Sequence, residues 1–297
     1  MRQIFPAGTA PAEIVHAERG DRGPAAEAAV FALAGLYAYP AAGMGDRPWL
    51  RANMVVSADG AASLAGRSAG LSGPADRLVF SVLRSLADVI LVGAGTARVE
   101  RYRPAAERDI WAALRDGRVL TPPIAVVTRE LSLDPDGPLL AGTPAGSRTI
   151  VLTTAAAPAA RRAAAARHAD VIVAGVDSLT PAAVIGALAE RGYRRLLIEG
   201  GPSLLAHFTA AGLLDDLCLT ISPVLEGGWA GRILRAPQTP PETPPEAAQD
   251  GTAGQDGPGT AGGPGTAGGP GVLAGLRLVH VLEERGSLLC RYLRDTG

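Results

Sequence analysis

Residues 72–98 read SGPADRLVFSVLRSLADVILVGAGTAR, and their order sets the fold class. Pro74 follows Gly73 and opens a helical pattern over 74–86, a position where its missing N–H and fixed φ cost nothing. The next run, VILVG, is a nearly continuous apolar strand over 89–92, the signature of a strand covered on both faces. It ends in Gly93-Ala94-Gly95-Thr96-Ala97-Arg98, a glycine turn where a strand hands over to a helix. Outward from here the pattern repeats. Strands are expected at 50–57, 124–128, 149–152, 171–174, 195–198 and 217–221, and helices at 158–168, 181–191 and 202–211. Strands alternating with helices mean βαβ units and a mainly parallel sheet. The last stretch forms two alternating runs around Glu284-Arg285-Gly286, a hairpin signal that adds antiparallel strands at one edge. The expected class is α/β: a mainly parallel central sheet, helices on both faces and a C-terminal antiparallel hairpin.

Two segments interrupt this plan. Residues 236–271 hold eight Pro and ten Gly in 36 positions, with GTAGGP twice in tandem and no Val, Ile, Leu or aromatic residue. Such a stretch has nothing to bury against its backbone entropy and is expected to be a disordered insertion in a loop. Residues 1–47 are expected to form an extension carrying a helix on the domain surface, and 48–297 the main domain. The apolar run at 28–45 follows a mixed-charge stretch and is broken by Pro40, so it suits neither a secretory leader nor a membrane span. A soluble cytoplasmic protein is expected.

Composition removes several chemistries. All 28 basic residues are Arg, set against 29 Asp and Glu, so there is no basic surplus for nucleic acid. Without Lys there is no P-loop lysine and no Schiff-base or pyridoxal-phosphate anchor. Cys218 and Cys290 are too few for a disulfide framework or a structural zinc cluster. His16-Ala17-Glu18 has half of a zinc deaminase signature but lacks the Pro-Cys-x-x-Cys partner, and no metal is expected.

Chemistry is expected at the carboxyl ends of the strands. Gly93, Gly95, Thr96 and Ala97 form one glycine turn; Glu199, Gly200, Gly201, Ser203 and Leu204 form a second. Gly lets backbone approach a phosphate, and the following helix start offers N–H groups and partial positive charge. Two such turns suit a pyrophosphate, as in a dinucleotide. Thr128 and Arg129 end another strand, where an Arg can pair with a ribose 2′-phosphate and favour NADP over NAD. Asn53, Val55, Ser57 and Asp59 share one parity at the end of their strand, which places polar groups at a cleft. Asp59, in an Asp-Gly turn, is positioned there to orient a substrate or relay a proton.

Three blocks, NMVVSADG, the stretch from Ser72 to Pro104, and LLIEGGPSLLAHFTAAGLLDDLCLTISPVLEGG, resemble the reductase domain of the riboflavin-pathway pyrimidine deaminase/reductases, which has the dihydrofolate reductase-like fold. The resemblance implies NADPH as hydride donor, a homodimer, and reduction of a ribosylamino-pyrimidinedione phosphate to its ribitylamino product. Asn53, Ser57 and Asp59 match the substrate-side strand, and the two glycine turns match the cofactor side, with Glu199 close to the nicotinamide half. Asp76, Arg84 and Asp88 look structural. The family usually carries Ser-Leu-Asp-Gly-Lys where this chain has Ser57-Ala58-Asp59-Gly60-Ala61, and Asp-Asp-Pro then Arg where it has Val99 to Pro104. Arg101 and Arg103 in that loop are candidates for a substrate phosphate. Alternatives on the same scaffold are a pterin or dihydrofolate reductase and a non-catalytic NADP-binding module.

Overall fold

The computed structural model describes residues 1–5, 23–40, 45, 47–106, 113–115, 117–144, 146–235 and 275–295. The Pro/Gly-rich stretch expected at 236–271 lies outside the described residues, as does the His16-Ala17-Glu18 triplet. The strands are β1 (Arg2–Phe5), β2 (Trp49–Ser57), β3 (Val89–Gly93), β4 (Ile124–Val127), β5 (Ile150–Thr154), β6 (Asp170–Gly175), β7 (Arg195–Ile198), β8 (Asp216–Ser222), β9 (Leu276–Glu284) and β10 (Ser287–Arg294). The helices are α1 (Pro24–Leu36), α2 (Pro74–Leu86), α3 (Ala94–Val99), α4 (Pro138–Ala141), α5 (Ala159–Ala166), α6 (Pro181–Ala189) and α7 (Pro202–Ala210).

Among the described residues all ten strands join one sheet, in the order β1-β9-β10-β8-β2-β7-β3-β4-β5-β6. From β8 to β6 every pairing is parallel. β10, β9 and β1 add an antiparallel flank. The β9–β10 turn places Arg285 at φ 50° and Gly286 at φ 83°, the paired left-handed geometry that matches strand twist in a tight hairpin. The α/β class, parallel core and closing hairpin follow the sequence expectation.

Strand pleating divides the core in two. Ile90, Val92 and Leu197 enter one cluster with Leu33 and Tyr37 at α1 and Val79 and Leu83 of α2. Val89, Leu91, Leu196 and Ile198 enter the other, with Leu188 of α6 and Phe208 of α7. Alternation fixes what comes next in each strand. Leu50, Ala52 and Met54 belong to the α6/α7 side, so Arg51 and Asn53 face α1 and α2. Glu199, one step past Ile198, falls on the same side as Leu197, towards α2.

Two described parts of the segment before residue 48, α1 and β1, are built into the domain. Leu33 and Tyr37 are fully buried, and β1 forms the edge strand against β9. The sequence places α1 on the domain surface; its apolar face instead packs into the core beside α2. The end of α1 is held by two buried guanidinia. Arg51 Nη1 donates to the Tyr37 carbonyl at 2.7 Å, and Arg291 Nη1 and Nη2 donate to the Leu36 and Ala38 carbonyls at 2.5 and 3.1 Å. Asp216 accepts from both, at 2.6 Å from Arg51 Nη2 and 2.9 Å from Arg291 Nη2. Burial alone would raise the Asp216 carboxyl; the two guanidinia outweigh it and hold it below its ordinary value. The end of α2 is held the same way, by Arg115 Nη1 on the Ser85 and Ala87 carbonyls and Arg118 Nη1 on Leu86.

Candidate active site

The carboxyl ends of β3 and β7 are neighbours, and their two glycine turns meet. The Gly93 N–H donates to the Gly200 carbonyl at 3.0 Å. A Cβ at Gly93 would lie 3.6 Å from the Gly201 nitrogen and 3.8 Å from the Leu204 Cβ. A Cβ at Gly201 would collide with the Thr96 hydroxyl. Gly200 has φ +110°, a backbone state that side chains rarely adopt, and the Gly200–Gly201 peptide is cis. Glycine is therefore required at 200 and 201 by conformation and by the approach of Thr96. The two turns stand at one rim, and one of the N–H groups expected to be available there, that of Gly93, is taken by Gly200.

Beside this rim lies a cavity of about 970 Å³, walled by β2, α2, the loops after β2 and α3, and residues 231–235. Of the residues singled out from sequence, Asn53, Arg101, Arg103, Gly93, Gly95, Thr96, Glu199, Gly200, Gly201, Ser203 and Leu204 line it. Ala97, one residue past Thr96, is buried. Thr128 is buried and Arg129 exposed just past β4, whose carboxyl end lies beside that of β3. Arg129 pairs with the neighbouring Glu130 at 3.0 Å. Both residues stand on the same rim but outside the cavity wall.

Ser57 and Asp59 are not brought to the wall. Ser57 is buried and donates its hydroxyl to Asp59 Oδ1 at 2.5 Å. Asp59 also accepts from the Glu226 and Gly227 N–H groups at 3.2 and 2.9 Å. Its carboxyl is pulled down to about 2 by the Ser57 hydroxyl first and then by these amides. Asp59 thus fastens residues 223–235 across the end of β2. Two backbone bonds, Ala58 N–H to Val224 O and Ala62 N–H to Gly231 O, both 2.8 Å, fasten the same segment. This strap carries Arg232 and Arg235 onto the cavity.

Three side chains of the cavity wall were not picked out as site residues from the sequence. Arg84, read as structural, donates to Glu199 twice, Nε to Oε1 at 2.7 Å and Nη2 to Oε2 at 2.6 Å. The Tyr102 hydroxyl donates to Glu199 Oε2 at 2.9 Å, and the Arg84 guanidinium lies 4.3 Å over the Phe80 ring. The Tyr102 phenol is driven well above its ordinary value, by burial first and then by the Glu199 charge. Asp76 is the third. It lines the cavity, is 5% exposed, and accepts from the Ser72 hydroxyl. Burial raises its carboxyl, against the lowering pull of Ser72, Thr220 and Arg77. The signal was present: Asp76, Phe80 and Arg84 repeat every four residues along α2 and so share one face.

Comparison with known proteins places this geometry. Residues 48–253 match the family described as the RibD C-terminal domain. The 2,5-diamino-6-ribosylamino-4(3H)-pyrimidinone 5′-phosphate reductase of Methanothermobacter thermautotrophicus is 29% identical over 188 residues, covering 63% of this chain and 83% of that protein. The riboflavin biosynthesis protein RibD of Mycobacterium tuberculosis is 28% identical over 174 residues, covering 58% of this chain and 41% of the longer protein. Among solved structures, a pyrimidine reductase-like protein from Corynebacterium diphtheriae superposes with a TM-score of 0.69 at 23% identity, over 89% of this chain and 99% of that one. That likeness shows a shared fold. The family match takes in both glycine turns, the cavity and the strap, and runs over more than half of the chain. The protein is a member of the RibD C-terminal domain family.

Proposed function

We propose that this protein is a riboflavin-pathway reductase that uses NADPH to reduce a ribosylaminopyrimidine 5′-phosphate at its ribosylamino carbon, giving the ribitylamino product. The observation that carries the reading is the joined glycine rim beside a cavity lined by an excess of arginine. Arg77, Arg101, Arg103, Arg232 and Arg235 line it in addition to the paired Arg84. The family contains reductases of such phosphates, and the arginines suit a phosphate-bearing substrate.

A nicotinamide dinucleotide fits the rim. A Cβ at Gly95 would meet open space, so backbone is bare there beside the rim, and the start of α7 adds N–H groups and positive potential. Thr96 and Ser203 add hydroxyls, and Arg129 at the next strand end favours a 2′-phosphate. When bound, the cofactor supplies the hydride. The protein's own groups do the rest. Arg101, Arg103 and the strap arginines hold the substrate phosphate, and Asn53 offers an amide to the pyrimidine edge. The Arg84–Glu199–Tyr102 network fixes the wall between the turns and α2. Reduction of a C=N bond also needs a proton at nitrogen, and Asp76 is the carboxyl placed to hold one: it is buried, in the cavity and raised. Asp59 stays ionised and serves by fastening the strap. A homodimer in the cytoplasm belongs to the same proposal.

The test is NADPH oxidation followed by absorbance, with the ribosylaminopyrimidine phosphate and with dihydrofolate as alternative substrates. Turnover is expected with the first only, and tighter quenching of tryptophan fluorescence by NADPH than by NADH. Turnover with dihydrofolate alone would establish the pterin reading; no turnover with either would leave a binding module.

A further inference from the structure

The amino ends of β3 and β7 form a second cavity, of about 420 Å³, on the rim opposite the glycine turns. β3 is five residues long, so the two rims stand roughly 16 Å apart. Arg115, Arg118, Arg191, Arg194 and Arg195 line this cavity, and among the described residues of its wall Asp88 is the sole carboxylate. Asp88 is already committed. Its Oδ1 accepts from Arg118 at 3.1 Å, and its Oδ2 accepts from the backbone N–H groups of Arg194 and Arg195, both at 2.9 Å.

Among the described residues neither the Arg115 nor the Arg195 guanidinium makes an ion pair. Arg115 is 1% exposed; its Nε donates to the Val119 carbonyl and its Nη1 to carbonyls at the end of α2. Its Nη2 is buried with no hydrogen-bond partner among the described residues. Arg195 is half-buried, and its guanidinium makes no hydrogen bond or ion pair among the described residues. Capping of α2 accounts for Nη1 of Arg115, and the Val119 carbonyl for its Nε. Neither explains the idle Nη2 or the placing of Arg195 near it. Burial first and then the Arg118 charge bring the Arg115 guanidinium down to about 10, against the opposing pull of Asp88 and with Arg195 adding to the fall. A buried cation facing further cations is costly unless an anion joins them.

We propose that this amino-rim cavity binds a phosphate dianion, free or as a monoester, between Arg115 and Arg195, separately from the substrate phosphate. Two guanidinia that make no ion pair, beside a carboxylate already committed to Arg118, suit a doubly charged anion better than a single carboxylate. Their planar forks match phosphate oxygens, and the open mouth leaves room for an ester group.

The test is isothermal titration of the full-length protein with inorganic phosphate, glycerol phosphate and acetate at matched ionic strength. Arg195→Gln is the main variant, because the Arg195 side chain supports no described contact; Arg101→Gln/Arg103→Gln controls for the catalytic cavity. Losing one charge-assisted pair is expected to weaken phosphate about tenfold in Arg195→Gln. Binding is expected to persist in the Arg101/Arg103 variant. Tighter binding of glycerol phosphate would identify an ester as the ligand, and tighter binding of inorganic phosphate the free ion. Equal binding by wild type and Arg195→Gln, or by phosphate and acetate, would overturn the proposal. So would a tungstate-soaked crystal with no anomalous density between Arg115 and Arg195.

Discussion

At the scale of single residues, the site divides carboxylates by environment. Asp59 is exposed and bound by three donors, and it is held low; Asp76 is buried beside two hydroxyls, and it is raised. Only the second suits a proton that must be kept and then given. Asp76→Asn is expected to lower kcat by about 10²- to 10⁴-fold while leaving the NADPH dissociation constant within about twofold, read by steady-state rates and fluorescence titration. A matching loss in cofactor binding would instead mean a structural role. The sequence pointed to Asp59 because strand parity carries Ser57 and Asp59 towards a cleft. Parity ends where the strand ends, and the turn at Gly60 (φ +87°) redirects the carboxylate to the strap. The partners of Glu199 were equally hidden. Arg84 and Tyr102 stand 115 and 97 positions from it, and no local pattern announces so distant a pair.

At the scale of elements, strands were legible wherever apolar runs were covered on both faces. β7 matches its expected bounds, and the other parallel strands lie within two residues of theirs. Helix starts were legible from proline: α2, α6 and α7 each begin at the expected Pro. β1 was not legible, since Arg2–Phe5 is four residues with an exposed pattern, and only the edge of β9 gives it a partner. The helix ends were also out of reach. α1 and α2 lack C-terminal glycine caps and are instead closed by arginines from strands or loops distant in sequence. These clamps depend on charge balance. Asp216→Asn would leave Arg51 and Arg291 buried without a countercharge, and is expected to cost about 3–5 kcal/mol in urea unfolding. A loss below about 1 kcal/mol would show that the α1 carbonyls alone suffice for both guanidinia.

At the scale of the whole molecule, one sheet presents two chemically distinct rims, and its stability has a defined acid limb. His280 is buried against Tyr37, ring centroids 4.9 Å apart, with an unpartnered Nε2. Burial first, then Arg291, pulls it down to about 4. Because the folded value lies below that of the unfolded chain, the unfolded state takes up the proton first. Stability is therefore present above about pH 6.5 and is lost progressively as pH falls towards about 4. Asp59, also lowered, contributes above about pH 4, and its share is lost as pH falls towards 2. Two successive declines in urea midpoint are expected, the upper one absent in His280→Phe; a flat profile between pH 7 and 4 would contradict this account. At the opposite extreme, the arginine clamp on α1 has a different consequence. An ammonium in those seats would surrender its proton in strong base and let go of the carbonyls, and acylating reagents would neutralise it. Guanidinium does neither readily. With guanidinium rather than ammonium in those seats, the end of α1 keeps its clamp in alkaline surroundings.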